Sequence, residues 1–243
     1  VQAVIDRGVE AIKRAWHRDL VADPATHAWV LSLYRAGELY PDTVDDYFPV
    51  AHAPWPWLAE ALARHRDDER RHGGMFARAV KLSGHAVEDF AGDDVFNHVI
   101  RAQTPARWRV DERDGPDARR LALAHFLAHA HHLELRVSRS LEMHLEACEQ
   151  GRAAVAAKVV SAVLADERRH IGYTRDAVRE LVGDAAARAV MAHHRRAEAR
   201  ADLVFSSRQV ARFLARFEAR ATPSRKALYR MCAAMQGLAA RAV

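Results

Sequence analysis

Turn-forming residues are scarce in this chain. Its 243 residues include 11 glycines and 8 prolines, about 8% together, where an average globular chain carries roughly 12%. A β-sandwich or barrel needs a turn every ten residues or so, so the shortage argues against both. Cysteine is scarcer still. Cys148 and Cys232 stand alone, with no C-x-x-C, which leaves no basis for a rubredoxin-type iron site, a zinc ribbon or a disulfide framework. Such usage suits a reducing compartment, so a cytoplasmic location is expected. Long apolar runs are missing as well. The best candidate, Ala153 to Ala165, is interrupted by Lys158, and a membrane span needs about 18 or more residues. No signal-peptide pattern is visible either.

What is present is a folded composition: 50% apolar residues, 28% charged and 7% aromatic. That is enough apolar surface for a core and argues against disorder. One domain over residues 1–243 is the expectation. Net charge is +5, unevenly spread. Residues 184–243 hold 12 Lys and Arg against 4 Asp and Glu, and the first 183 residues are slightly acidic. A basic third of this kind is either a solvated helical face or a surface for an acidic partner.

Helix-period apolar spacing runs through most of the chain. A first helix covers Val1 to Val21 and stops near Asp23-Pro24, and a second starts near Thr26. Three prolines between Pro49 and Pro56 make a clear break. The next helix runs from Trp57 to Ser83-Gly84, and a short one is expected around Val95 to Ala102. A long helix from Asp117 reaches Gln150, and another covers Arg152 to Val182 and ends at Gly183. Two more follow, from Asp184 and from Pro223, with Ser206-Ser207 expected to kink the first of these. Long helices with short loops predict an all-α antiparallel bundle with extra helices packed outside it.

One pentapeptide occurs twice. Asp68-Glu69-Arg70-Arg71-His72 recurs as Asp166-Glu167-Arg168-Arg169-His170, 98 residues later. Glu-x-x-His puts a carboxylate and an imidazole on the same helix face. Two such helices plus one Glu from each of two others form the ligand set of a carboxylate-bridged dimetal site in a four-helix bundle. Hard carboxylates with borderline imidazoles suit iron or manganese. The competing reading is a pair of solvated salt-bridging stretches, which fits Arg70 and Arg168. Yet Glu69 and His72 share a stripe with Leu58, Leu62, Phe76 and Val80, and Glu167 and His170 share one with Val159, Val160, Val163 and Thr174. A carboxylate buried on such a stripe needs a cation or a partner.

The two missing carboxylates follow from helix height. In an antiparallel hairpin, residues equidistant from the turn are level. The turn at Gln150-Gly151 is as far from Glu134 as from Glu167, roughly 24 Å at 1.5 Å per residue. Glu134 also shares a largely apolar face with Leu127, His131, Ser138, Leu141 and Leu145. The same construction across the proline break points from Glu69 to Glu38, with Asp42 and Asp45 as alternatives because Gly37 and Pro41 disturb the helix there. His125, His129 and His132 are expected at the surface.

Glu38, Glu69-x-x-His72, Glu134 and Glu167-x-x-His170 resemble the ferritin-like di-iron carboxylate superfamily over residues 26–182, with the helices of 184–243 as accessories. The Asp before each Glu and the Arg before each His resemble its oxygen-activating branch, which includes soluble acyl-carrier-protein desaturases, bacterial di-iron monooxygenases and ribonucleotide reductase small subunits. Arg71-His72-Gly73 with Leu82-Ser83-Gly84 is similar to the first desaturase motif. Arg169-His170 with Tyr173-Thr174 is similar to the second, but its Tyr-Thr pair comes one residue early. The radical tyrosine of the reductase subunits is matched by Phe76, which argues against a tyrosyl radical.

The resemblance implies that Glu38 and Glu134 are terminal ligands and that Glu69 and Glu167 bridge. His72 then binds one metal and His170 the other, with Asp68, Asp166, Arg71 and Arg169 orienting the histidines. Ser138, one turn after Glu134, matches a hydroxyl residue of the hydroxylases, and Phe76 and His131 are further candidates for a substrate cavity. The implied activity is a two-iron (Fe/Fe, Mn/Fe or Mn/Mn) oxidoreductase using O₂ to hydroxylate, N-oxygenate or desaturate a small organic or acyl substrate. The alternative within the superfamily is a ferroxidase, iron-storage or peroxidase-type protein. No flavin or iron–sulfur motif is present, so an external electron donor, a ferredoxin or a reductase, is required. The basic C-terminal helices are a candidate dock for that donor or for an acyl carrier protein. Nucleic acid is not expected, because the arginines are not interleaved with aromatics. A homodimer is the default assembly.

Overall fold

The computed structural model describes residues 2–104, 110–111 and 113–242. Among them are seven α-helices and no strand. They are α1 (Gln2–Ala22), α2 (Pro24–Glu38), α3 (Pro56–Leu82), α4 (Phe96–Ala102), α5 (Pro116–Gln150), α6 (Ala154–Phe217) and α7 (Pro223–Ala242). No helix among the described residues is long and apolar enough to cross a membrane.

Local chemistry sets the boundaries. The Asp23 carboxylate accepts from the Ala25 and Thr26 amides at 2.9 and 3.2 Å, and Pro24 opens α2 with its φ already helical. Gly183 has φ +75° and ψ 163°, a conformation that L side chains rarely adopt, and it breaks α6 into two helical arms. The expected kink at Ser206-Ser207 is absent. Gly183 is the non-helical position inside α6, while Ser206 donates to Asp202 and Ser207 to the Ala233 carbonyl. Those hydroxyls are satisfied by a side chain one turn back and by α7, so they need not compete with the helix ladder.

α2 pairs with α3 around the proline-rich connection, α5 pairs with the first arm of α6 around Gly151, and α3 packs on α6. α1 lies against α5 and α2, while α4 and α7 cover the second arm of α6. The core is layered. Leu58 and Leu62 of α3, Leu123 and Leu127 of α5, and Ala177 and Val178 of α6 form one apolar cluster. Phe76 and Val80, Leu141, and Val160 and Val163 form a second, further along the same helices. Between the two lie His65, Glu69 and His72 of α3, His131, Glu134 and Ser138 of α5, and Glu167, His170 and Thr174 of α6, all buried.

The charge asymmetry turns inward. Arg208, Arg212, Arg216, Arg220 and Arg225 of the basic C-terminal region pair with Asp93, Asp94, Glu88, Asp23 and Asp19 respectively. The basic third is thus partly neutralised by the acidic remainder.

Close packing gives a first prediction. A Cβ on Gly73 would sit 2.6 Å from Leu39 Cγ and Cδ2, whereas one on Gly74 would meet nothing within 4 Å. Gly73→Ala is expected to destabilise by about 1–3 kcal/mol through overpacking. Gly74→Ala, in the same helix, is expected to be neutral or to stabilise by roughly 0.5–1 kcal/mol. Denaturant unfolding of the two variants side by side checks this.

Candidate metal centre

The middle layer brings ligand atoms together in two groups. Glu38, Glu69, His72 and Glu167 form one, and His65, Glu69, Glu134 and His170 form the other. Within each group one ligand atom per residue lies within 4.8 Å of all the others, and every member is buried. Glu69 belongs to both. Glu167 also faces both sides, with Oε1 3.6 Å from His72 Nδ1 and Oε2 3.3 Å from His170 Nδ1. All six ligands expected from the sequence therefore converge. Asp42 and Asp45 do not join them: Asp42 pairs with Arg70 at the surface, and Asp45 is exposed.

The duplicated pentapeptides support each other crosswise. His72 Nε2 meets Asp166 Oδ2 at 3.1 Å, and His170 Nε2 meets Asp68 Oδ2 at 3.2 Å. Each histidine is therefore held by the aspartate of the other helix. Arg71 bridges Asp68 (2.7 Å) and Asp166, while Arg169 bridges Asp166 and Asp68 (both 2.7 Å). With Nε2–H donated outward, the Nδ1 atoms face the carboxylates. This is how an outer carboxylate fixes the tautomer of a metal-binding imidazole.

Four glutamates buried between apolar layers pose an electrostatic problem that a cation solves. Burial, then the neighbouring Glu38 and Glu134, push the Glu69 carboxyl well above the usual range. Burial and the charge of Glu134 do the same to Glu167. Burial also pushes Glu134 up, but the hydrogen bond and charge of His65 outweigh it and hold that carboxyl low. His72 would be lowered by burial, yet the hydrogen bond and charge of Glu38 raise it to about 9. Burial and then His65 lower His170 to about 4. Glu69 Oε1 and Glu167 Oε1 are fully buried and make no well-formed hydrogen bond, although His65 Nε2 lies 3.2 Å from the first and His72 Nδ1 3.6 Å from the second. Orphaned acceptors of this kind are rare and costly, and they point into the two ligand groups. The residues present fit a pair of hard divalent cations.

His65 is the one member of the two ligand groups that the sequence did not point to. Its Nε2 lies 3.1 Å from Glu134 Oε1 and 3.2 Å from Glu69 Oε1. The Tyr173 hydroxyl meets its Nδ1 at 2.8 Å, and its ring stacks on His170 with centroids 3.7 Å apart. It precedes Glu69 by one turn on the stripe already marked by Leu58, Leu62 and His72, which is the signal that could have found it.

An apolar cavity of about 470 Å³ reaches the centre at Glu38, Glu69 and Glu134. Its walls include Ile12 and Trp16 of α1, Trp29 and Leu33 of α2, Leu133 and Val137 of α5, Phe205 of α6 and Met231 of α7. Ser138, Phe76 and His131 are not among its lining residues. Ser138 is buried with Oγ unpaired. Phe76 is fully buried in the apolar layer, 5.5 Å from the Tyr34 ring. His131 Nδ1 is satisfied by the Ile171 carbonyl at 3.1 Å and by Thr174. The expected surface histidines are also placed otherwise. His129 and His132 are buried and His125 is half-buried, because the second arm of α6 covers that end of α5 through Met191 and His194. No family model, curated protein or solved structure matches the chain.

Proposed function

We propose that the chain is an oxygen-activating dimetal oxidoreductase, built as a ferritin-like bundle, acting on an apolar organic or acyl substrate. The observation that carries this reading is the joining of two buried four-residue ligand groups through Glu69, at the end of an apolar cavity. Glu38, His65, Glu69, His72, Glu134, Glu167 and His170 would hold two iron ions, or manganese in place of one or both. When bound, the metal pair supplies the electrons that reduce O₂, and a ferredoxin or a reductase replenishes them.

The remaining work falls to the chain itself. Asp166 and Asp68 hold the Nε2–H groups of His72 and His170, keeping both Nδ1 atoms turned inward. Tyr173 holds the outer nitrogen of His65. The apolar layers on either side exclude water from the carboxylates. The cavity walls position a carbon chain or ring beside Glu134 and Glu69. An apolar cavity ending on the ligands favours an organic substrate over iron storage, which needs none.

Val137 lines that cavity without belonging to either ligand group, so Val137→Trp separates substrate from metal. The variant is expected to keep both ions and to bind dodecanoic acid at least tenfold more weakly than the unmodified chain, by calorimetry. In the unmodified, ferrous-loaded chain, the same acid is expected to change the rate of O₂ consumption. Probe binding that ignores the substitution, or O₂ consumption that ignores the probe, would count against the cavity as the substrate site.

A further inference from the structure

A second set of metal-binding side chains converges where α1, α2 and α5 meet, outside the carboxylate centre. His144 and Cys148 lie one turn apart on α5, His27 sits in the first turn of α2, and His17 comes from α1. His144 Nε2 is 3.2 Å from His27 Nε2, which in turn is 3.7 Å from Cys148 Sγ. One ligand atom from each of His27, His144 and Cys148 lies within 4.8 Å of the other two. On its other side, His144 Nδ1 is 3.3 Å from His17 Nδ1. His17, His144 and Cys148 are buried, while His27 is half-buried and leaves a way in from solvent.

These separations are those of a coordination polyhedron. With Zn–N near 2.0–2.1 Å and Zn–S near 2.3 Å, a tetrahedral ion has an N···N edge of about 3.3 Å and an N···S edge of about 3.6 Å. The observed 3.2 and 3.7 Å fit both edges with small adjustment. The donor set also differs in kind from the dimetal centre: two imidazoles and a thiol, with no carboxylate. Thiolate selects softer, borderline cations over the oxygen-loving ones. Burial, the largest influence on each, lowers His17 to about 3 and His27 to about 4 and takes His144 well below its usual value. All three imidazoles are therefore neutral at pH 7, the form that ligates metal.

We propose that His27 Nε2, His144 Nε2 and Cys148 Sγ form a mononuclear site for a zinc-class divalent cation. Water completes the shell on the half-buried side at His27. His17 accepts the Nδ1–H of His144 and so fixes the tautomer that leaves Nε2 free for the ion. Binding converts the Cys148 thiol to thiolate and releases its proton to solvent. The site would pin α1, α2 and α5 together, and it stands whether or not the dimetal reading does.

Cobalt(II) tests this, because both centres could take the ion but only a thiolate site gives a sulfur-to-cobalt charge-transfer band in the near ultraviolet. Titrating the metal-stripped Glu69→Ala chain, in which the carboxylate centre no longer competes for the ion, is expected to raise that band to saturation at one ion per chain. The band should persist in Cys232→Ser, disappear in Cys148→Ser, and bleach when zinc is added. Absence of the band, or its survival in Cys148→Ser, overturns the proposal. Should Cys148→Ser fail to fold, X-ray absorption of the Glu69→Ala chain with one equivalent of zinc decides. A sulfur neighbour at about 2.3 Å is expected, and a shell of nitrogen and oxygen alone overturns the site.

Discussion

Glu69→Ala is expected to strip both metal ions from the chain, not one. Glu69 is the residue common to the two ligand groups, so its loss takes a ligand from each at once and leaves Glu167 as the one carboxylate facing both His72 and His170. Iron content after anaerobic loading and desalting should fall from two ions per chain to a small fraction of one. Glu38→Ala touches one group only, and it should leave the ion held by His65, Glu134 and His170 in place. Asp42→Ala, which breaks the surface pair with Arg70, should change nothing. The same Glu69 substitution should stabilise the metal-free protein. It removes an orphaned buried acceptor, a feature that costs about 1–3 kcal/mol, and relieves repulsion from Glu38 and Glu134. Metal analysis and thermal unfolding of the three variants check both halves. A Glu69→Ala chain that still loads two ions would break the link between the shared carboxylate and the paired metals.

The metal-free protein is expected to lose stability steeply on mild acidification. Burial is the leading cause that lowers His17 to about 3, His27, His129 and His132 to about 4, and His194 to about 2. Each is held neutral in the folded chain but charges near pH 6.5 once unfolded. A depressed folded-state pKa contributes stability that is present above the unfolded value and is lost as pH falls toward the folded one. Each group costs about 1.4 kcal/mol per pH unit below 6.5. Allowing for protons shared within the His17–His144–His27 contacts, the five cost on the order of 5 kcal/mol by pH 5.5, comparable with the whole stability of many domains.

His72 acts in the opposite sense. Its pKa is raised to about 9, so its contribution is complete below 6.5 and drains away as pH climbs through 9, a loss of roughly 3 kcal/mol at most. Glu69 and Glu167, also raised, pull the same way. Metal-free stability should therefore peak near neutrality and fall on both sides. The alkaline fall should vanish once the ligand groups are metal-loaded, because the cations replace the protons. Denaturant midpoints across pH 5 to 9, with and without metal, read both limbs. A flat profile for the metal-free chain from pH 7.5 to 5.5 would contradict the buried neutral histidines.

The helices and the carboxylate layer were readable because each left a periodic mark. Asp23-Pro24, the proline break, Gly84 and Gly151 end helices for reasons visible in those residues themselves. The repeated pentapeptide, with equal heights across two turns, led to Glu38 and Glu134, which the structure brings beside His72 and His65. His65 escaped because the repeat that revealed its neighbours does not include it. Shifted by 98 residues, its counterpart is Val163. The inward pairing of the basic third was not legible, since Arg208, Arg212 and Arg216 find their acids more than a hundred residues away. His129 and His132 were misplaced for a related reason. Helical period shows that α5 has a polar face, but not that the second arm of α6 would cover it.

Iron binding by the full chain tests the central claim most directly. The metal-stripped protein is loaded anaerobically with ferrous iron, exposed to O₂, desalted and measured by metal analysis and Mössbauer spectroscopy. The account predicts two ferric ions per chain that are exchange-coupled, and so diamagnetic as a pair, because Glu69 and Glu167 face both positions. Fewer than one ion per chain, or two magnetically isolated ions, would contradict it.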